Sequence, residues 1–190
     1  EDLDSLLKKH ADVSVVLPVH TYGLPCRVGE IQRVVESFQR RRRYPIRVIY
    51  DAAHAFGSSI DGRRVGAFGD AEVFSLSVTK VLVSVEGGLI SSRDSKLIQR
   101  IRKMRNYGIQ ENYNAHWPGM NGKMSEFHAI VGLRNLEALD RNLAIRSRKA
   151  SRYLRRIEEE TIFRTVPSRP HVTHTFKDFT ILVPPRLKRR

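Results

Sequence analysis

Residues 51–88 read DAAHAFGSSIDGRRVGAFGDAEVFSLSVTKVLVSVEGG. The mostly apolar run Ile46–Tyr50 leads into this stretch and ends on a carboxylate, Asp51. A second run, Ala71–Leu76, leads through Ser75 and Ser77 to Lys80. Both runs have the length and residue content of short buried strands, which puts Asp51 and Lys80 near strand ends. In an open α/β sheet the ligand crevice lies at the carboxyl ends of the strands. A lysine and an acid converging there suit a cofactor held as an imine. Pyridoxal phosphate takes a lysine amine on its aldehyde and an acid beside its pyridinium nitrogen; the acid keeps the ring protonated, and the protonated ring accepts carbanion electrons.

Outward from this stretch, strand and helix patterns alternate. Val13–Leu17 is a β-branched run that predicts a buried strand, ended by Pro18, and His20–Pro25 follows as a loop. Val28–Arg41 predicts an amphipathic helix, with Ile31, Val34, Val35 and Phe38 at helical spacing. The basic run Arg40–Arg43 stands at its end, where the helix dipole favours cations, and Pro45 stops it. Strand, helix, strand at this spacing is a βαβ unit, expected to cross over right-handed. Gly57–Gly69 is a glycine-rich connection with a turn signal at Asp61-Gly62. Beyond Lys80 the pattern gives a strand at Gly88–Ser92, then a helix over Lys96–Arg105 capped by Asp94 or Ser95 and closed by Gly108. After an irregular loop, Glu111–Pro118, Ser125 caps one long helix reaching about Glu160, with Met124, Phe127 and Val131 on one face. Pro167 and Pro170 mark a boundary, and Phe179–Val183 predicts a last strand.

Composition narrows the function classes. The 190 residues suffice for one domain with a sizeable core. The single cysteine, Cys26, leaves no intrachain disulfide, as expected in a reducing compartment. No apolar run approaches the roughly 20 residues that cross a bilayer, and the acidic start Glu1-Asp-Leu-Asp is not that of a signal peptide, so the expected location is the cytoplasm. A net charge of +14 can serve nucleic-acid binding. Here the arginines are spread over several predicted helices, with no nucleic-acid motif and no interleaved stacking aromatics. The charge is therefore assigned to solvated helix faces, and a positive cleft also favours phosphorylated ligands.

Five segments, in order, carry a family resemblance: Pro18-Val-His-Thr-Tyr-Gly-Leu-Pro25, Asp51-Ala-Ala-His54, Phe74-Ser-Leu-Ser-Val-Thr-Lys80, Glu86-Gly-Gly88 and Gly119-Met-Asn-Gly-Lys-Met-Ser-Glu126. Together they resemble the DegT/DnrJ/EryC1/StrS family of pyridoxal-phosphate sugar aminotransferases over roughly residues 13–183. The resemblance implies an α/β fold: part of the aspartate aminotransferase-like (fold type I) large domain, a three-layer α/β/α arrangement on a mainly parallel sheet, with the start of a small C-terminal domain. It implies a division into residues 1–123 of the large domain, a connecting helix over 124–160, and the beginning of the small domain at 161–190.

The resemblance also assigns roles. Lys80 is the imine-forming amine, which later moves protons at the substrate carbon. Asp51 is the partner of the pyridinium nitrogen. His54 occupies a Gln/His position close to the ring and its 3-hydroxyl. Ser75, with Ser77 beside it, faces the cofactor phosphate, for which hydroxyl donors are suited. Asn121 and Lys123 lie in the segment that reaches a neighbouring subunit's cofactor phosphate, implying a homodimer with shared active sites. Position 123 departs from the arginine usual in the family: lysine keeps the charge and loses the bidentate fork. No metal is called for. The family's large domain starts earlier than this sequence, with a phosphate loop and a ring-stacking aromatic residue, so the resemblance is to the middle of a family member.

The implied function is transfer of an amino group from an amino acid, glutamate being the expected donor, to a nucleotide-linked keto-sugar in amino-sugar and cell-surface polysaccharide biosynthesis. The alternatives are a truncated or regulatory family member that keeps the fold without turnover and, more remotely, a basic nucleic-acid-binding protein.

Overall fold

The computed structural model describes residues 2–40, 42–109, 113–167 and 169–187. In chain order these form α1 (Asp2–Lys9), β1 (Val15–Val16), a 3₁₀ turn at Thr21–Gly23, α2 (Val28–Gln39), β2 (Arg47–Asp51), β3 (Ser59–Ile60), β4 (Arg63–Arg64), β5 (Ala71–Ser75) and β6 (Gly88–Ser91). There follow α3 (Ser95–Met104), α4 (Glu126–Glu137), α5 (Leu139–Glu160), β7 (Arg164–Thr165), β8 (Val172–Thr173) and β9 (Ile181–Leu182).

The main sheet has the order β1-β2-β5-β6. Strands β1, β2 and β5 run parallel, with Ile49 opposite Ala71 and Asp51 opposite Val73; β6 returns antiparallel to β5. The alternation of side chains along a strand sorts these residues into two faces. Val16, Val48 and Tyr50 face α1 and α2 and pack with Leu7, Ile31, Val34, Val35 and Phe38, the residues whose helical spacing marks α2 as amphipathic. On the opposite face Val15, Leu17, Val19 and Val73 are exposed, Leu17 by 62%. Asp51 and Ser75 belong to that open face.

Local signals place several boundaries. Asp94 caps α3 by accepting from the backbone N–H groups of Lys96 and Leu97, and Ser125 caps α4 by accepting from that of His128. Gly108 has φ +71 and its N–H returns to the Lys103 carbonyl at 3.0 Å, closing the turn beyond α3. The loop expected at 111–118 falls partly outside the described residues.

Three features differ from expectation. First, α2 stops at Gln39, and Arg42 serves a different helix: its guanidinium donates to the carbonyls of Leu7, His10, Ala11 and Val13, tying down the end of α1. Second, the Gly57–Gly69 connection contains a hairpin of β3 and β4, turned at Asp61 and Gly62 (φ +49 and +75). Its strand β3 also pairs with β8, Ser59 opposite Thr173, so the C-terminal segment adds to this hairpin. Two-residue strands are too short to leave a period-2 pattern. Third, the long helix is two helices. At Ala138 (φ −93, ψ −2) the backbone N–H turns back to the Asn135 carbonyl, and the chain bends. Alanine gives no warning of this; tertiary contacts set it. Asn135 of α4 donates to the Val83 carbonyl at 2.8 Å, whereas Asp140 of α5 pairs with Arg64 at 2.8 Å. Phe127, expected on a shared apolar face, is 82% exposed.

Candidate active site

Asp51 is the last residue of β2, and its backbone is fixed from both sides. Its N–H donates to the Pro18 carbonyl and its carbonyl accepts from the His20 N–H, each at 2.9 Å. Its carboxylate accepts from the Ala53 N–H at 2.9 Å and lines a cleft of about 340 Å³ with Leu17, Ile49, Val73 and Ser75. The carboxylate thus stands at the carboxyl end of the parallel strands against apolar walls, where ligands of open α/β sheets bind.

Behind this strand end lies a buried histidine–carboxylate hydrogen bond that carries no motif. His20 and Glu72 are both fully buried, with Nε2 and Oε1 3.3 Å apart. His20 Nδ1 accepts from the Cys26 N–H at 2.9 Å, so Nε2 carries the proton and donates to Glu72. The other carboxylate oxygen of Glu72 accepts from the N–H groups of Gly66 (2.5 Å) and Phe68 (2.8 Å). The His20 ring stacks on Tyr50 at 4.9 Å. Through His20 this network anchors the backbone that holds Asp51. Burial pushes the nearby Cys26 thiol up to about 11, and its Sγ donates to the Val19 carbonyl.

Lys80 follows β5 in a loop built on backbone bonds. Its N–H donates to the Ser77 carbonyl at 3.0 Å, and the N–H groups of Leu76 and Ser84 donate to Gly87 and Leu76 at 2.8 Å. Val85 in this loop has φ +66, a conformation disfavoured for a β-branched residue. Helix α4 presses on the loop: a Cβ on Gly132 would meet the Ser84 Cβ at 3.0 Å, and one on Gly87 would meet the Met124 methyl at 2.4 Å. The Ser75 and Ser77 hydroxyls lie 3.4 Å apart at the start of the same loop.

His54 joins Asp51 and Lys80. Its ring lies parallel to that of Tyr22, with centroids 6.1 Å apart. Burial holds the imidazole below the ordinary histidine value, helped by the Lys80 and Lys177 ammonium groups and opposed by Asp178 and Asp51. The Lys177 backbone runs beside Gly23 and the His54 carbonyl, and no motif marks Lys177 or Asp178 in the sequence. They arrive because Thr175 is buried against the site, its N–H donating to the Gly23 carbonyl and its hydroxyl to that of His54, each at 3.3 Å. No spacing signal connects residue 177 with residue 54.

Asn121 and Lys123 are not brought to this cluster. Lys123 donates to the Asn121 side chain at 2.5 Å and its ammonium lies 4.0 Å from the centroid of the Tyr107 ring, on an exposed surface beside the end of α3.

The sequence matches the model of the DegT/DnrJ/EryC1/StrS aminotransferase family over residues 4–190. The chain belongs to this family. It is 35% identical over 173 residues to the dTDP-4-amino-4,6-dideoxy-D-glucose transaminase of Shigella dysenteriae, covering 90% of this chain and 45% of that protein. It is 32% identical over 172 residues to the GDP-perosamine synthase of Caulobacter vibrioides, covering 87% and 44%. The fold is similar to the crystal structure of AtS13 from Actinomadura melliaura, with a TM-score of 0.89 and 27% identity over 97% of this chain and 52% of that one. The chain therefore spans about half the length of the relatives it matches. DegT/DnrJ/EryC1/StrS aminotransferases depend on pyridoxal phosphate, and the α/β fold with its mainly parallel sheet is the one these enzymes share.

Proposed function

We propose that this chain carries the lysine-bearing part of a pyridoxal-phosphate site in an enzyme that transfers an amino group from an amino acid, with glutamate the expected donor, to a nucleotide-linked keto-sugar. Its place would be amino-sugar and cell-surface polysaccharide biosynthesis in the cytoplasm. The observation that carries the reading is the convergence of Asp51 and His54, from the end of β2, with Lys80, from the loop after β5, at the strand ends of a family-matching sheet. Among the described residues no helix is long and apolar enough to cross a membrane.

The donor set fits the cofactor. When bound, pyridoxal phosphate supplies an aldehyde and a protonated ring that takes up carbanion electrons. Asp51, with only one of its bonds spent on the Ala53 N–H, has a free oxygen to hold the proton on the ring nitrogen. His54, whose imidazole is held below the ordinary histidine value by burial, would orient the ring. The hydroxyls of Ser75 and Ser77, weakly engaged with each other, donate to phosphate oxygens. Lys80 would hold the aldehyde through its Nζ, and its free amine would serve as the group that moves the proton at the substrate carbon.

Asn121 and Lys123, away from this cluster in their own chain, are assigned to the phosphate of a second subunit, making the enzyme a homodimer with shared sites. Residues 1–123 then form the large-domain part, 124–160 the connection and 161–190 the start of the small domain. Titration with pyridoxal phosphate tests the reading. The protein should develop a visible absorbance band that borohydride removes, and Lys80→Ala should lack it. A folded protein without the band contradicts the proposal.

A further inference from the structure

Lys177 is an unusual lysine. Its side chain is only 13% exposed, although it stands in the irregular segment between β8 and β9. Withdrawing an ammonium from water is costly unless its three N–H donors are met. Among the described residues its bonds go to its own neighbour, Asp178, at 3.0 and 3.1 Å. Asp178 is 44% exposed, so water competes for that carboxylate. The ion pair does not explain why the lysine is buried.

The backbone on either side shows that this placement is built. Thr175, buried, donates to the Gly23 and His54 carbonyls and accepts from Ser58, whose hydroxyl also donates to Gly23 at 2.7 Å. His174 Nε2 lies 3.2 Å from the Tyr22 carbonyl. Phe176 takes φ +49 and its ring stacks on that of His174 at 4.0 Å. Gly23 has no room for a side chain here: a Cβ would stand 2.1 Å from the Thr175 hydroxyl and 3.3 Å from the Lys177 nitrogen of the backbone. This clamp fixes the Lys177 backbone against Gly23, next to the His54 carbonyl.

We propose that Lys177 is an anion-docking residue of this site, donating to a carboxylate or phosphate oxygen of the incoming substrate in place of its contact with Asp178. The inference rests on the proposed function. It adds a specificity determinant supplied by the C-terminal segment, and a charge-assisted bond of this kind changes affinity by at least about tenfold. Two sources of the anion fit: the carboxylates of the amino donor and the diphosphate of the nucleotide-linked sugar.

The test is calorimetric titration of the 190-residue chain with maleate, a dicarboxylate that mimics the donor, and separately with thymidine diphosphate. Lys177→Met should weaken one of them at least about tenfold and Lys177→Arg should retain most of that affinity. Loss confined to maleate assigns Lys177 to the donor; loss confined to thymidine diphosphate assigns it to the nucleotide; loss of both assigns it to each in turn. Asp178→Asn removes the internal competitor and should tighten the same anion, which decides the matter alone if Lys177→Met does not fold. Wild-type protein that binds neither anion, or a Lys177→Met variant that binds both as wild type does, overturns the proposal. Borohydride trapping of pyridoxal phosphate at Lys80 should be unchanged in Lys177→Met, so failure of the anion titration and failure of the cofactor reading are seen separately.

Discussion

Glu72→Ala removes the acceptor at the centre of the buried pair behind Asp51. The carboxylate is fully buried and takes three hydrogen bonds, from His20 Nε2, the Gly66 N–H and the Phe68 N–H. Alanine leaves all three donors without a partner, and each buried donor stranded in this way costs about 1–3 kcal/mol. A cavity beneath the main sheet adds to the loss. Against this, the variant no longer has to keep a carboxylate out of water, which offsets part of the cost. The net expectation from three stranded donors, less that offset, is about 3–5 kcal/mol, a large share of the roughly 5–15 kcal/mol of a natural domain. Glu72→Gln keeps one oxygen and should lose about half as much. Urea unfolding followed by far-UV circular dichroism measures both, and a parallel pyridoxal phosphate titration should show weakened binding, because His20 also holds the Asp51 carbonyl. An alanine variant within about 1 kcal/mol of wild type would refute the reasoning.

Asp51→Asn should keep the fold and the borohydride-trapped cofactor but lose most turnover, since a neutral ring is a poorer electron sink; near-normal turnover rules the role out. Val85→Asn should raise stability by about 1 kcal/mol, because asparagine tolerates the φ of +66 that valine does not, and an unchanged melting temperature argues against strain there. Burial holds the imidazoles of His54 and His174 below the ordinary histidine value, so the unfolded chain takes up their protons at higher pH than the folded one. Stability should therefore be full above about pH 6.5 and fall as the pH drops through the folded values, and asparagine at both positions should flatten that slope; an unaltered slope contradicts the assignment. Mixing Asn121→Ala with Lys80→Ala subunits should restore up to about half of the activity of the wild-type dimer if the two residues act across a dimer. No recovery places them in one chain.

What could be read from the sequence was local. Asp51 at the end of an apolar run, the caps at Asp94 and Ser125, and the amphipathic face of α2 each leave a signal within a few residues, and each of these elements ends or packs where it was expected. What could not be read depends on partners distant in sequence. On either side of the break at Ala138, Asn135 and Asp140 bond to Val83 and Arg64, residues more than fifty positions away. The placement of the Lys177 backbone beside Gly23 follows from Thr175 meeting Gly23 and Ser58. Glu72 did leave a trace, a lone acid in the apolar run Ala71–Leu76, and a buried acid in such a run demands a buried partner; His20 is that partner.

The central claim is that Lys80 is the amine that holds pyridoxal phosphate. The protein should be incubated with the cofactor, reduced with borohydride, digested, and its peptides mapped by mass spectrometry. The account predicts the pyridoxyl group on Lys80, in the peptide that follows β5. A label found mainly on other lysines, with Lys80 unmodified in folded protein, would contradict it.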